Sequence, residues 1–223
     1  MYPAANITRA PGMTAKTPPP TPLATSLTRC PWTGIGDPEY ARYHDEEWGV
    51  PLTDSRLLFE KLILEGFQSG LSWLTILKKR DNFRRAFDHF DADKIARYGA
   101  SDIARLMGDA GIVRNRLKIE SAIDNAKAYR AISQSQPFAQ FIWGLVDKRE
   151  PNTKRKTFAE VPAQTAQSVL ISKRLKAEGF RFAGPTTVYA FMQSSGMVND
   201  HLVTCHRHAV CAKLQHQARL PKT

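Results

Sequence analysis

Residues 57–79, LLFEKLILEGFQSGLSWLTILKK, form the most apolar run in the chain, and Glu65 lies in its middle. Leu58, Leu62 and Glu65 stand at i, i+4 and i+7, so a helix through them sets the carboxylate on one face with two leucines. Apolar residues fill nearly every other side as well, which is the pattern of a helix buried in a core. A carboxylate placed there must lose its charge, find partners or do chemistry, because an unpaired buried charge is very costly. Gly66 and Gly70 interrupt the helical pattern between Glu65 and Trp73. Taken alone, the stretch fits a structural acid bonded to backbone or arginine as well as a functional one.

Outward from this stretch the pattern stays helical. Asp37-Pro38 starts a short helix that carries Tyr40, Tyr43 and His44. Asp81 is expected to cap a helix lined by Phe83, Phe87 and Phe90, and Ser101 another that carries Ile103, Leu106 and Met107. Asp109–Ile119, DAGIVRNRLKI, reads as a turn leading into a long helix with Ile119, Ala122, Ile123, Ala126 and Tyr129 on one face. Phe138, Phe141, Ile142 and Leu145 form a further stripe, and Asp147–Pro162 reads as a basic surface loop. Helices over Ser168–Glu178 and Pro185–Ser195 are closed by Gly179 and Gly196. No segment alternates strictly and no long repeat occurs, so the expected class is all-α.

The chain has 223 residues, 42% of them hydrophobic, enough for one domain with a real core or two small lobes. A formal net charge of +11 favours a polyanionic partner, nucleic acid first. No uninterrupted apolar run is long enough to span a membrane. Three cysteines, an odd number, argue against a secreted disulfide scaffold and for a reducing compartment. Met1–Arg29 is rich in Pro, Ala and Thr and has no acidic residue, which predicts a disordered extension. Proline at this density opposes the amphipathic helix of a transit peptide.

Three constellations carry chemistry. Cys30–Pro51, CPWTGIGDPEYARYHDEEWGVP, packs Trp32, Tyr40, Tyr43 and Trp48 among turn formers, either as core or as the wall of a pocket for a flat, electron-poor ligand. The acidic run Asp45–Glu47 within it reads as a solvated turn. His201 and Cys205, after Asn199-Asp200, would share a helical face, and Cys30 and His44 offer a second pair. Together the four suit tetrahedral zinc, although their spacing matches no common zinc finger and His206, His208 and Cys211 compete as ligands. Such a set is closed and structural, tying one end of the ordered chain to the other. In Asp109–Ile119, backbone N–H groups at the turn and the following helix N-terminus suit a phosphate, with Arg114, Arg116 and Lys118 adding charge. The second glycine of the usual helix-hairpin-helix turn is missing, since Ile112 and Val113 follow Gly111.

With VNDHLVTC (residues 198–205), these segments together resemble the 3-methyladenine DNA glycosylase I family, in the right order from Arg29 to about His206. The resemblance implies an all-α, two-lobed helix-hairpin-helix glycosylase fold spanning residues 30–208, followed by a basic tail over residues 209–223. It also implies one structural zinc on Cys30, His44, His201 and Cys205. Glu65 becomes the catalytic residue, with Tyr43, Trp73 and Trp32 as base-binding residues. The turn Gln68–Leu71 fills the gap left by an extruded base through Gly70 and Leu71. Gly111, Ile112, Arg114 and Lys118 then belong to the hairpin that meets DNA, and in this family the Gly-Ile-Val-Arg form of the turn is normal. The implied partner is double-stranded DNA containing alkylated bases, met by a monomer in the bacterial cytoplasm, at the nucleoid. This sequence departs from the family in its Pro-rich extension, one extra residue between Trp32 and Asp37, and the basic tail. Rival readings are a damage-recognition module without activity and a different zinc enzyme.

Overall fold

The computed structural model describes residues 27–146 and 153–220, and among these every regular element is helical. The first helix, α1 (Pro38–Glu46), opens on the Asp37 carboxylate, which accepts from the Glu39 and Tyr40 N–H groups. Next come α2 (Ser55–Gln68) and α3 (Trp73–Ala86). They are capped by Asp54 and Ser72, whose side chains accept from the N–H groups of Leu57 and Thr75. The short α4 (Ala92–Ile95) and α5 (Ala100–Gly108) lead to the 18-residue α6 (Arg116–Ser133), capped by Asn115. After α7 (Phe138–Gly144) come α8 (Ala166–Ala177), α9 (Pro185–Ser194) and α10 (Arg207–Gln217).

Helix α2 is the centre of the packing. Leu58, Phe59, Leu62, Ile63, Leu64 and Phe67 are all buried, and α3, α6, α7 and α9 lie against it. Burying a side chain of this size contributes roughly 1.5–3 kcal/mol, so the α2 row is a large source of stability. The glycines on either side of the expected break behave differently. Gly66 stays inside α2, where its missing side chain lets Phe182 approach, whereas Gly70 adopts φ +79° and makes the turn into α3. Gly196 marks the tightest backbone crossing: a Cβ there would lie 2.3 Å from the Pro51 nitrogen.

Several sequence expectations are corrected. Asp81 lies inside α3, and Ser101 follows a helix start capped at Gly99. Phe83, Phe87 and Phe90 do face the core together, but not along one helix: α3 ends at Ala86 and the chain makes a left-handed turn through Asp88, His89 and Phe90. Tyr98 donates to Asp88 (2.6 Å) and Arg56 to the His89 carbonyl (3.0 Å), holding that turn. His201 and Cys205 are on a loop and turn before α10, not on a helical face. The expected basic tail becomes α10 as far as Gln217, with Cys211 and Gln215 buried and Gln215 donating to the Gly196 carbonyl. Residues 1–26 of the expected extension, and 147–152 of the expected loop, lie outside the described residues.

Candidate active site

The C-terminal end of α2, the start of α3, α1 and α9 enclose a cleft of about 580 Å³. Trp32, Tyr43, Glu65 and Trp73 all line it, so the structure brings the four residues singled out for the pocket into one place. The Tyr43 and Trp73 rings are 5.4 Å apart, and Trp32 leans on Tyr40 at 5.1 Å. This is a cage of electron-rich faces suited to a flat or cationic guest. The Trp73 indole Nε1 is buried with no hydrogen-bond partner among the described residues.

Glu65 is 4% exposed. Burial drives its carboxyl up to about 7, opposed by a hydrogen bond with Ser194 of α9 and the charge of Lys61. No arginine pairs with it among the described residues, so it is not the arginine-bonded acid that the sequence also allowed. Tyr43 is pushed well above its ordinary value by burial, then by the charge of Glu65, and stays a hydroxyl.

Sequence reasoning missed part of the wall. Tyr189 and Gln193, one turn apart on α9, line the cleft, as does the strap Val161–Ala163. Both α9 side chains donate to the fully buried carboxylate of Asp200, Tyr189 at 2.5 Å and Gln193 at 2.8 Å. Arg155 and Thr153 donate to its other oxygen, each at 2.8 Å, which pins the segment leading to the strap. The i, i+4 spacing of Tyr189 and Gln193 was a usable signal. Nothing in the sequence linked it to Asp200.

Behind the cleft, Cys30, His44, His201 and Cys205 are all buried, with their ligand atoms within 4.8 Å of one another. Cys205 Sγ is 3.6 Å from His44 Nε2 and 3.5 Å from His201 Nδ1, and Cys30 Sγ is 3.7 Å from His201 Nδ1. The set is able to hold a metal ion. The far nitrogens are oriented as metal-bound histidines require: His44 Nδ1 lies 2.8 Å from Asp45 and His201 Nε2 lies 3.0 Å from the Trp48 carbonyl. Asp45 is in turn gripped by Arg29, and Glu47 is paired with Arg80 at 2.7 Å, so only Glu46 of that acidic run is exposed. The competing ligands are engaged elsewhere: His206 bonds the Thr28 carbonyl, His208 the Thr153 carbonyl, and Cys211 packs under Gly49. Trp32 joins the two centres, with its ring 4.8 Å from His44 and 6.4 Å from Tyr43.

On the rim, Leu71 is 43% exposed at the tip of the α2–α3 turn. Two lysines cross-tie this turn to the hairpin before α6. Lys118 of α6 is buried, and its ammonium donates to the carbonyls of Phe67 (2.8 Å) and Ser69 (2.6 Å). Lys79 of α3 donates to Ala110 (2.9 Å) and Gly111 (3.3 Å). The Gly111 N–H is taken by Asp109, and the Ile112 side chain is buried in the core. Arg114 is exposed and has no ion-pair partner among the described residues.

A family profile described as methyladenine glycosylase matches residues 32–208. The chain belongs to this family. It is 49% identical over 180 residues to DNA-3-methyladenine glycosylase 1 of Escherichia coli (strain K12), covering 80% of this chain and 96% of that protein. A crystal structure of 3-methyladenine DNA glycosylase I superposes with a TM-score of 0.78 at 47% identity, covering 80% of this chain and 98% of the other. The Staphylococcus aureus 3-methyladenine DNA glycosylase I, solved to show how it recognises 3-methyladenine, superposes at 0.73 with 39% identity over 76% of this chain and 91% of its own.

Proposed function

We propose that this protein is a base-excision repair enzyme that hydrolyses the N-glycosidic bond of alkylated purines and releases 3-methyladenine from DNA. The observation that carries the reading is Glu65, a carboxyl raised to about 7 in the wall of an aromatic cleft, in a chain of the methyladenine glycosylase family. The bond lies inside the base stack, so the nucleotide must be turned out of the duplex at a cost of a few kcal/mol. Leu71 and Gly70, at the exposed tip, fill the space it leaves. Gly111, Ile112 and Arg114 form the hairpin of a helix-hairpin-helix grip on the phosphates, while Lys118 works from beneath by fastening the wedge turn.

N3-methylation makes adenine cationic, and the faces of Trp73, Tyr43 and Trp32 attract a cation. Glu65 then discriminates by charge. A cationic base brings a full positive charge into the cleft beside the carboxylate, whereas neutral adenine leaves its ionisation penalised. When the C1′–N9 bond breaks, its electron pair cancels the charge of the leaving base, so no separate acid is needed for departure. Water forms the new bond to C1′ and gives up a proton to bulk water, while Glu65 steadies the positive charge that develops on the sugar.

Cys30, His44, His201 and Cys205 hold one structural zinc. Two thiols and two imidazoles are donors that zinc prefers, and these four buried side chains would hold it between them. Four protein ligands leave no open position, so zinc supplies only rigidity, joining the N-terminal segment to the turn before α10. The glycosylase domain, residues 30 to 208 with α10 added, works as a monomer on double-stranded DNA, in the bacterial cytoplasm at the nucleoid. The test is incubation with methylated duplex DNA and chromatography of the freed bases. We expect 3-methyladenine to be released; DNA binding with no freed base would replace this reading with that of a damage-recognition module.

A further inference from the structure

A second cavity, of about 230 Å³, lies behind the cleft, with Trp73 as the shared wall. Lys61 lines this rear cavity and Tyr43 lines only the cleft, yet the Lys61 ammonium stands 5.3 Å from the centre of the Tyr43 ring. The cation therefore sits on the face of Tyr43 turned away from the base. It also lies one helical turn before Glu65 on α2. Its nearest carboxylate is Glu47 at 3.7 Å, and Glu47 is already held by Arg80 at 2.7 Å. The ammonium is half-buried and shares Glu47 with Arg80, and desolvation pulls Lys61 below the ordinary lysine value.

We propose that Lys61 is a positioning residue for the base cleft: its ammonium, behind Tyr43 and one turn from Glu65, favours the ionised form of Glu65 before the damaged base arrives. The inference rests on the role given to Glu65 above. Among the described residues, the other groups around Glu65 do not supply the charge. From α1, Tyr40 and Tyr43 face it as neutral hydroxyls, both raised by burial. From α9, Ser194 offers a neutral bond and Tyr189 is committed to Asp200. Lys118 of α6 is spent on the Phe67 and Ser69 carbonyls, Asp88 after α3 is bonded by Tyr98, and the α7 face is apolar. Lys61 thus acts as a placeholder for the positive charge that the alkylated base later brings. The site is biased toward the charged form, and the aromatic ring keeps the lysine out of the base's way.

The test is NMR titration of the full-length protein with carboxyl-labelled glutamate, the Glu65 signal being assigned by its loss in E65Q. We expect a wild-type midpoint near about 7. K61M should move it upward by about one pH unit, and K61R should restore it. Release of 3-methyladenine at pH 6.5 should then slow roughly tenfold in K61M and far less at pH 9. An unmoved midpoint in a folded K61M, or in K61Q if K61M does not fold, overturns the proposal. The titration needs no turnover, so wild-type protein that releases no base would sink the glycosylase reading while leaving the Lys61 result to stand or fall alone.

Discussion

The metal-type centre and the base cleft share Trp32 as a wall, but their polar groups are treated in opposite ways. In the first, His44 and His201 are each held from behind, by Asp45 and by the Trp48 carbonyl, and Asp45 is held again by Arg29. In the second, Glu65 has one hydroxyl bond and the field of Lys61 against near-complete burial, and the Trp73 Nε1–H has no partner among the described residues. The difference separates two uses of a buried polar group. Where bonds are complete, the group fixes the fold. Where they are left incomplete in an otherwise well-packed core, the protein stores an unmet demand that a ligand of the right charge can satisfy.

The sharpest way to break this contrast is E65Q. It should cut base release about a hundred- to a thousandfold, since a buried charge pair with the cationic base is removed. The same change should stabilise the protein. Glu65 titrates near about 7 when folded against 4.5 for the free side chain, so between those values the folded state holds a proton that the unfolded state has lost. Stability from this group therefore falls as pH rises from about 4.5 to about 7 and is flat above. At pH 8, E65Q should exceed the wild type by roughly 1–3 kcal/mol in chemical denaturation, and at pH 4 the two should coincide. Reduced stability at pH 8 would show that the carboxylate is a structural partner after all.

The complementary change is C205S at the other centre. Zinc measured by elemental analysis should disappear, and melting should fall by about 10 °C or more, because ligand binding there is folding energy. Unlike E65Q, it should damage release only in proportion to the fraction unfolded. Zinc retained in C205S would transfer the ligand role to Cys211, which lies buried nearby.

The parts of this contrast that were legible in the sequence are those written in local spacing. The Leu58–Leu62–Glu65 row gave α2, the Asp37-Pro38 pair gave α1, and a chain without alternation gave the all-helical class. The ligand set rested on resemblance, because Cys30 and His201 are brought together by the fold and not by any repeating interval. Other features were hidden for the same reason. Asp200 is an ordinary acid until four donors converge on it, and Lys61 is one cation in an apolar run until the fold sets it behind Tyr43. The left-handed turn at Asp88–Phe90 was misread as helix because all three phenylalanines do reach the core, by a route that periodicity does not encode.

The smallest effect divides the two basic residues of the hairpin. Arg114 is exposed at the turn, whereas Lys118 is buried with its ammonium on two carbonyls at the end of α2. If Arg114 meets a phosphate, R114A should lower DNA affinity and flatten its dependence on log salt by about one unit of slope, whatever the base sequence. Lys118 predicts the reverse. K118M removes a cation from the chain but none from the DNA-facing surface, so the salt slope should hold. The freed carbonyls of Phe67 and Ser69 should instead loosen the Leu71 turn and raise amide exchange there. The pair of measurements separates gripping DNA from bracing the wedge that enters it. Equal changes of slope in both variants would mean that Lys118 leaves its carbonyls to reach the backbone of DNA.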